Sequence, residues 1–103
     1  MASIQKTLQN WENGQDEVWK TVEAVLKKYG FQLAGKPGGS HNRYVHPTLR
    51  EALRDNPCYF KDYAPTGQII VIKHGEKVFN QYLRRILKAI ADIDFYNSVK
   101  DCK

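Results

Sequence analysis

The sequence predicts an α+β domain with helices packed on one face of a small antiparallel sheet. Three observations lead to that class. Apolar residues recur at helical spacing towards both ends of the chain, two extended segments flank a Lys-Pro-Gly-Gly-Ser turn, and four consecutive β-branched residues follow further on. With 103 residues the chain has room for one modest core and no second domain. Its 42% hydrophobic content excludes a disordered polymer, and no apolar run approaches the roughly 18 residues of a membrane span.

Each element has its own signal. Ile4, Leu8 and Trp11 predict a short first helix that Asn13-Gly14 breaks, so residues 1–13 read as a helical extension. Val18, Val22, Val25, Leu26 and Tyr29 share one face of a predicted helix over about residues 15–29, with Trp19 at its margin and Gly30 as the stop. Phe31 to Lys36 and His41 to His46 predict the two strands of a hairpin, ended by Pro47. The connection 48–66 is too long for an ordinary loop, and Leu49-Arg50-Glu51-Ala52-Leu53-Arg54 suggests an extra helical turn within it. Ile69, Ile70, Val71 and Ile72 predict the best-buried strand, over Gln68 to Lys73. From about Asn80, Leu83, Ile86, Leu87 and Ile90 form the inner face of a last helix, and Arg84 and Lys88 lie opposite with Arg85 to one side. The expected domain thus has a core over 15–91 and a tail over 92–103.

Charge narrows the function. The formal net charge is +5, but residues 1–35 are neutral, with four Lys and four acids; residues 36–91 carry ten Lys and Arg against four acids, and the last twelve residues return minus one. A basic surface confined to part of a small domain attracts polyanions, nucleic acid above all. The opening Met-Ala-Ser-Ile-Gln-Lys lacks the apolar segment of a signal peptide, and Cys58 and Cys102 form no disulfide framework, so the expected location is the cytoplasm.

Few side chains offer chemistry. Gly35-Lys36-Pro37-Gly38-Gly39-Ser40 lies between strands and lacks the Gly-Lys-Ser/Thr ending of a phosphate loop. Ser40 and His41 are neighbours expected to point to opposite faces, which argues against a nucleophile and its base. A zinc site from His41, His46, His74 and Cys58 fails on spacing, and no metal or other cofactor is expected. His41 remains: it follows a Gly-Gly-Ser turn, shares a strand face with Arg43, and sits in the basic segment. Histidine beside a cation can move the proton of an RNA 2′-hydroxyl, or deliver one to the leaving 5′-oxygen, while the cation stabilises the phosphate. The same residues would also serve simply to bind RNA.

The runs Val25-Leu26-Lys27-Lys28-Tyr29-Gly30-Phe31, Gly39-Ser40-His41-Asn42-Arg43-Tyr44-Val45-His46-Pro47, Val71-Ile72-Lys73-His74 and Tyr82-Leu83-Arg84-Arg85-Ile86-Leu87-Lys88-Ala89-Ile90 resemble the HicA toxin family. Its members are small mRNA interferases of type II toxin–antitoxin systems. The resemblance covers about residues 15–91 and is most specific at Gly-Ser-His preceded by Gly-Phe. It implies a fold like the double-stranded-RNA-binding domain, His41 as the catalytic histidine, and a HicB-type antitoxin that covers the site. His74 matches a second recurrent histidine of the family. The chain departs from the family in having Asn42 where many members carry a further histidine, Lys73 where many carry proline, and the longer 48–66 connection.

The expectation is therefore a cytoplasmic, metal-independent endoribonuclease acting on mRNA. His41 would be general acid or base, with Ser40, Arg43 and His74 as accessory groups. Lys36, Arg43 and Lys73 would hold phosphate near it, and Arg84, Arg85 and Lys88 would bind RNA or an acidic antitoxin. The rival expectations are a non-catalytic RNA-binding module and a protein-interaction domain with a basic face.

Overall fold

The computed structural model describes residues 3–35 and 39–101. They form α1 (Ile4–Glu12), β1 (Glu17–Val18), α2 (Trp19–Lys28), β2 (Gln32–Ala34), β3 (His41–Val45), α3 (Pro47–Asp55), a 3₁₀ turn (Lys61–Tyr63), β4 (Gln68–His74), β5 (Lys77–Val78) and α4 (Asn80–Asp101). The sheet is antiparallel throughout, with strand order β1-β5-β4-β3-β2. β4, β3 and β2 are the expected three strands; β1 and β5 extend the sheet beyond β4 with a two-residue pair that the sequence did not suggest.

That pair explains the main correction at the front of the chain. The helix expected from residue 15 begins at Trp19, because Glu17 and Val18 pair with Val78 and Lys77 of β5. Trp19 N–H then donates to the Glu76 carbonyl at 2.7 Å, which satisfies a first-turn donor that no side chain caps. Val18, expected on the core face, is 54% exposed as a consequence. At the other end of α2, Phe31 N–H reaches the Leu26 carbonyl and Gly30 N–H the Lys27 carbonyl, with Gly30 at φ +88°. This is the Schellman stop, which favours a residue without Cβ.

α2 and α4 cover the sheet face that carries Tyr44, Ile69, Val71 and Val78, and these side chains join Trp19, Val22, Leu26, Leu83, Ile86 and Ile90 in one core. Among the described residues no helix covers the opposite face. The run Ile69 to Ile72 therefore alternates, Ile69 and Val71 buried but Ile70 37% exposed, where uniform burial was expected. α1 packs against α4 through fully buried Trp11. Trp11 Nε1–H donates to Glu17 at 3.1 Å, while the Asn80 amide bridges the Trp11 and Gln15 carbonyls.

The long connection is structured. His46 ends β3 and caps α3, whose Pro47 occupies the first turn, where a missing N–H costs nothing. Phe60 and Tyr63 then enter the core. Residues 92–101, expected as a tail, continue α4 instead, because the connection gives them something to pack on: Tyr96 OH donates to Asp55, Lys100 meets Glu51 at 2.9 Å, and Tyr59 stacks on Phe95. Cys58 is exposed, and Cys102 lies outside the described residues. Among the described residues no helix is long and apolar enough to cross a membrane. α2, the three strands β2, β3 and β4, and α4 have the arrangement of the double-stranded-RNA-binding domain.

Candidate active site

Side chains of a strand alternate between faces, and this rule sorts the expected site residues. His41 and Arg43 of β3 are exposed on the open face, while Asn42 and Tyr44 between them are buried. The register pairs His41 with Ile72 and Arg43 with Ile70, so Ile70 and Ile72 form the floor beside them. His74, two residues beyond Ile72, shares that face and is a diagonal neighbour of His41, the relation that sets residues about 7–8 Å apart. Its ring stacks on Phe79 with centroids 4.6 Å apart.

Ser40 requires a correction. It lies in the bend before the first residue of β3, outside the alternation that was expected to separate it from His41, and its Oγ is 3.3 Å from His41 Nδ1. The imidazole is thus held at one nitrogen, and among the described residues the other has no partner. Lys73 does not join His41. It has the parity of Ile69 and Val71, pairs with buried Val78, and sets its ammonium 5.2 Å from the centre of the Trp19 ring on the helix side. Lys36 lies outside the described residues.

Gln68 organises the cations of the open face. Its Oε1 accepts from Arg43 Nη1 at 3.3 Å and from Thr66 Oγ1 at 2.9 Å. The Thr66 carbonyl in turn accepts from Arg50 Nε at 3.4 Å. On one side, Gln32, Val45, Arg50 and Arg54 line a recess of about 270 Å³. On the other, a groove of about 330 Å³ runs between β4 and α4, lined by Gln68, Ile70, Tyr63, Arg85 and Lys88. Arg50 and Arg54 were missed as site residues; their i, i+4 spacing would have placed them on one helix face had the helical turn been carried on to α3.

The three cations of α4 differ. Arg85 lines the groove and lies over the Tyr82 ring. Arg84 points towards the α1 side, its Nε donating to Asn80 at 3.0 Å. Lys88 is engaged by acids, Asp92 at 3.1 Å and Asp62 at 3.6 Å, and lies over the Tyr63 ring. Desolvation opposes its charge, but the hydrogen bond to Asp92 and the two carboxylates outweigh it and raise its pKa. Tyr63 donates to Asp92, and burial together with that bond pushes its phenol well above the ordinary tyrosine range.

His46, one of the four weighed as zinc ligands, is buried at the start of α3 with both ring nitrogens occupied, Nε2 by the Tyr29 carbonyl and Nδ1 by Thr48 N–H. Among the described residues no cluster of three or more His, Cys, Asp or Glu side chains has a metal-binding arrangement.

The open face therefore gathers an imidazole with no partner at Nε2 among the described residues, the guanidinium groups of Arg43 and Arg50, and a shallow apolar floor. Such a surface can hold a phosphodiester and move a proton beside it. No curated protein and no solved structure was found to match the chain. The family model described as HicA toxin of bacterial toxin–antitoxin systems matches residues 19–91. That span opens at the first residue of α2, takes in every site residue named above, and leaves out α1, β1 and the last turns of α4. On the match over most of its length, the chain belongs to the HicA toxin family.

Proposed function

We propose that this chain is a metal-independent endoribonuclease that cleaves mRNA in the cytoplasm and is held inactive by a HicB-type antitoxin. The observation that carries the reading is the exposed His41 with Ser40 at Nδ1 and Arg43 on the same face. His41 Nε2 takes the proton of the 2′-hydroxyl, whose oxygen attacks the adjacent phosphorus; the 5′-oxygen leaves with a proton from water, giving a cyclic phosphate and a 5′-hydroxyl, and the imidazolium returns its proton to solvent. Arg43 stabilises the charge on the phosphate in passing. The strand continues past Gln68 towards Arg50 or into the groove beside Arg85. Phosphate contacts of this kind carry little sequence information, so cleavage is broad. An antitoxin that covers this face would present acidic residues to it.

The test is expression of the chain with and without His41→Ala, followed by RNA integrity and growth. Loss of RNA and growth arrest with the native chain alone supports the reading; equal toxicity or equal inertness of the two overturns it. RNA binding that falls steeply with salt and yields no cleaved product would establish the non-catalytic module instead. Cleavage survives EDTA, and its complete loss on chelation would overturn metal independence.

A further inference from the structure

Asn42 follows His41 directly, yet it lies on the other side of the sheet and is 4% exposed. A side chain there cannot reach a substrate on the open face. Its Nδ2 donates to the Gly39 carbonyl at 3.1 Å and to the Ser40 carbonyl at 3.2 Å. Only the amide nitrogen can serve two carbonyls at once, so the orientation of the amide is fixed by its partners. The Ser40 carbonyl also accepts Lys73 N–H from β4 at 2.9 Å, so the bend is tied both to the neighbouring strand and to the buried amide. From that bend Ser40 Oγ stands 3.3 Å from His41 Nδ1.

We propose that Asn42 is a positioning residue for His41: from beneath the sheet it holds the Gly39-Ser40 bend so that Ser40 engages Nδ1 and Nε2 alone faces the phosphodiester. This rests on the reading of His41 as the proton-transfer group. A buried position opposite Val71 would ordinarily take an apolar side chain. An amide is used because its one nitrogen reaches both turn carbonyls from the buried side of the strand. The same bonds therefore fix both the turn and the ring it presents.

The experiment uses Asn42→Asp, which keeps the shape and removes both donors, with Asn42→Leu as a second variant in case a buried carboxylate prevents folding. Ser40→Ala and the doubly substituted chain complete a cycle, and thermal melts identify the folded variants. Each single substitution is expected to lower kcat about ten-fold with KM within about two-fold, and the double variant to be no worse than the worse single one. Losses that multiply, or a change in KM alone, overturn the proposal. If the native chain and His41→Ala are equally inert, the ribonuclease reading fails separately, and nitrogen NMR of the His41 ring decides the positioning claim. Ser40→Ala, Asn42→Asp and Asn42→Leu should all move the Nδ1 resonance in one direction. An Nδ1 resonance that responds to Ser40→Ala but to neither Asn42 variant overturns it.

Discussion

His46 Nε2 donates to the Tyr29 carbonyl at 2.7 Å and ties the end of α2 to the start of α3. Its Nδ1 meanwhile accepts from Thr48 N–H at 3.0 Å, and its ring meets Phe31 edge-on at 4.9 Å. One side chain thus acts as helix cap, as partner of a carbonyl at the end of another helix, and as core filler. His46→Ala should cost about 2–4 kcal/mol, the sum of a lost cap and a stranded carbonyl. His46→Asn should cost less, because asparagine can cap α3 but is too short to reach Tyr29. Urea unfolding of the two variants measures the difference.

Gly67 touches the first turn of α3 backbone to backbone. A Cβ at this position would lie 2.4 Å from Arg50 N and 2.8 Å from Leu49 C, and the residue has φ +76°. Neither neighbour is the end of a flexible side chain, so nothing can yield cheaply. Gly67→Ala should destabilise by about 3 kcal/mol or more, combining overpacking with left-handed backbone strain. Since Gly67 joins the 3₁₀ turn to β4, the loss should appear as a lower urea midpoint for the whole transition.

The cations of the open face and of the groove beside it should separate by their partners. Arg43→Ala and Arg85→Ala should each weaken binding of single-stranded RNA and reduce the salt slope by about 1, as expected when one phosphate contact is removed. Lys88→Ala should change that slope little, because Asp62 and Asp92 already hold its charge. Titrations at several salt concentrations, in a His41→Ala background to prevent cleavage, provide the comparison. An equal loss for Lys88 would show that its acidic partners release it to RNA.

Stability should fall in alkali through two tyrosines. The hydrogen bond to Asp55 holds the Tyr96 phenol neutral and pushes its pKa up to about 12, from an ordinary value of 10.0. Tyr63 is raised further, by burial first and by its bond to Asp92 second. A pKa raised by folding stabilises the folded state fully below the unfolded value and loses that contribution as pH rises through the folded one. The contribution is therefore complete at neutral pH and declines from about pH 10 upwards, over about pH 10–12 for Tyr96. Replacing both residues by phenylalanine should flatten the fall in urea midpoint across that range.

Much of the fold was legible because it rests on local rules. Gly30 marked the stop of α2 through its backbone freedom, and the β-branched run at Ile69 to Ile72 marked β4. Glu17 and Val18 were read as helix because Val18 continues the apolar spacing of Val22, Val25 and Leu26. What assigns them to a strand is pairing with Lys77 and Val78, some sixty residues away, and no local pattern records that. The tail was misread for a similar reason: 92–101 is helical because the 48–66 connection folds against it through Asp55 with Tyr96 and Glu51 with Lys100.

The site divides in the same way. The sequence by itself determined that His41 and Arg43 share a face, since a strand alternates whatever surrounds it, and that the basic excess lies between residues 36 and 91. Only the tertiary structure decided which of those cations stand beside the histidine. It turned Lys73 onto Trp19, paired Lys88 with Asp62 and Asp92, and brought Arg50 towards Arg43 through Thr66 and Gln68. Charge is a property of composition, whereas its availability depends on register, helix phase and the acids that long-range packing brings within reach.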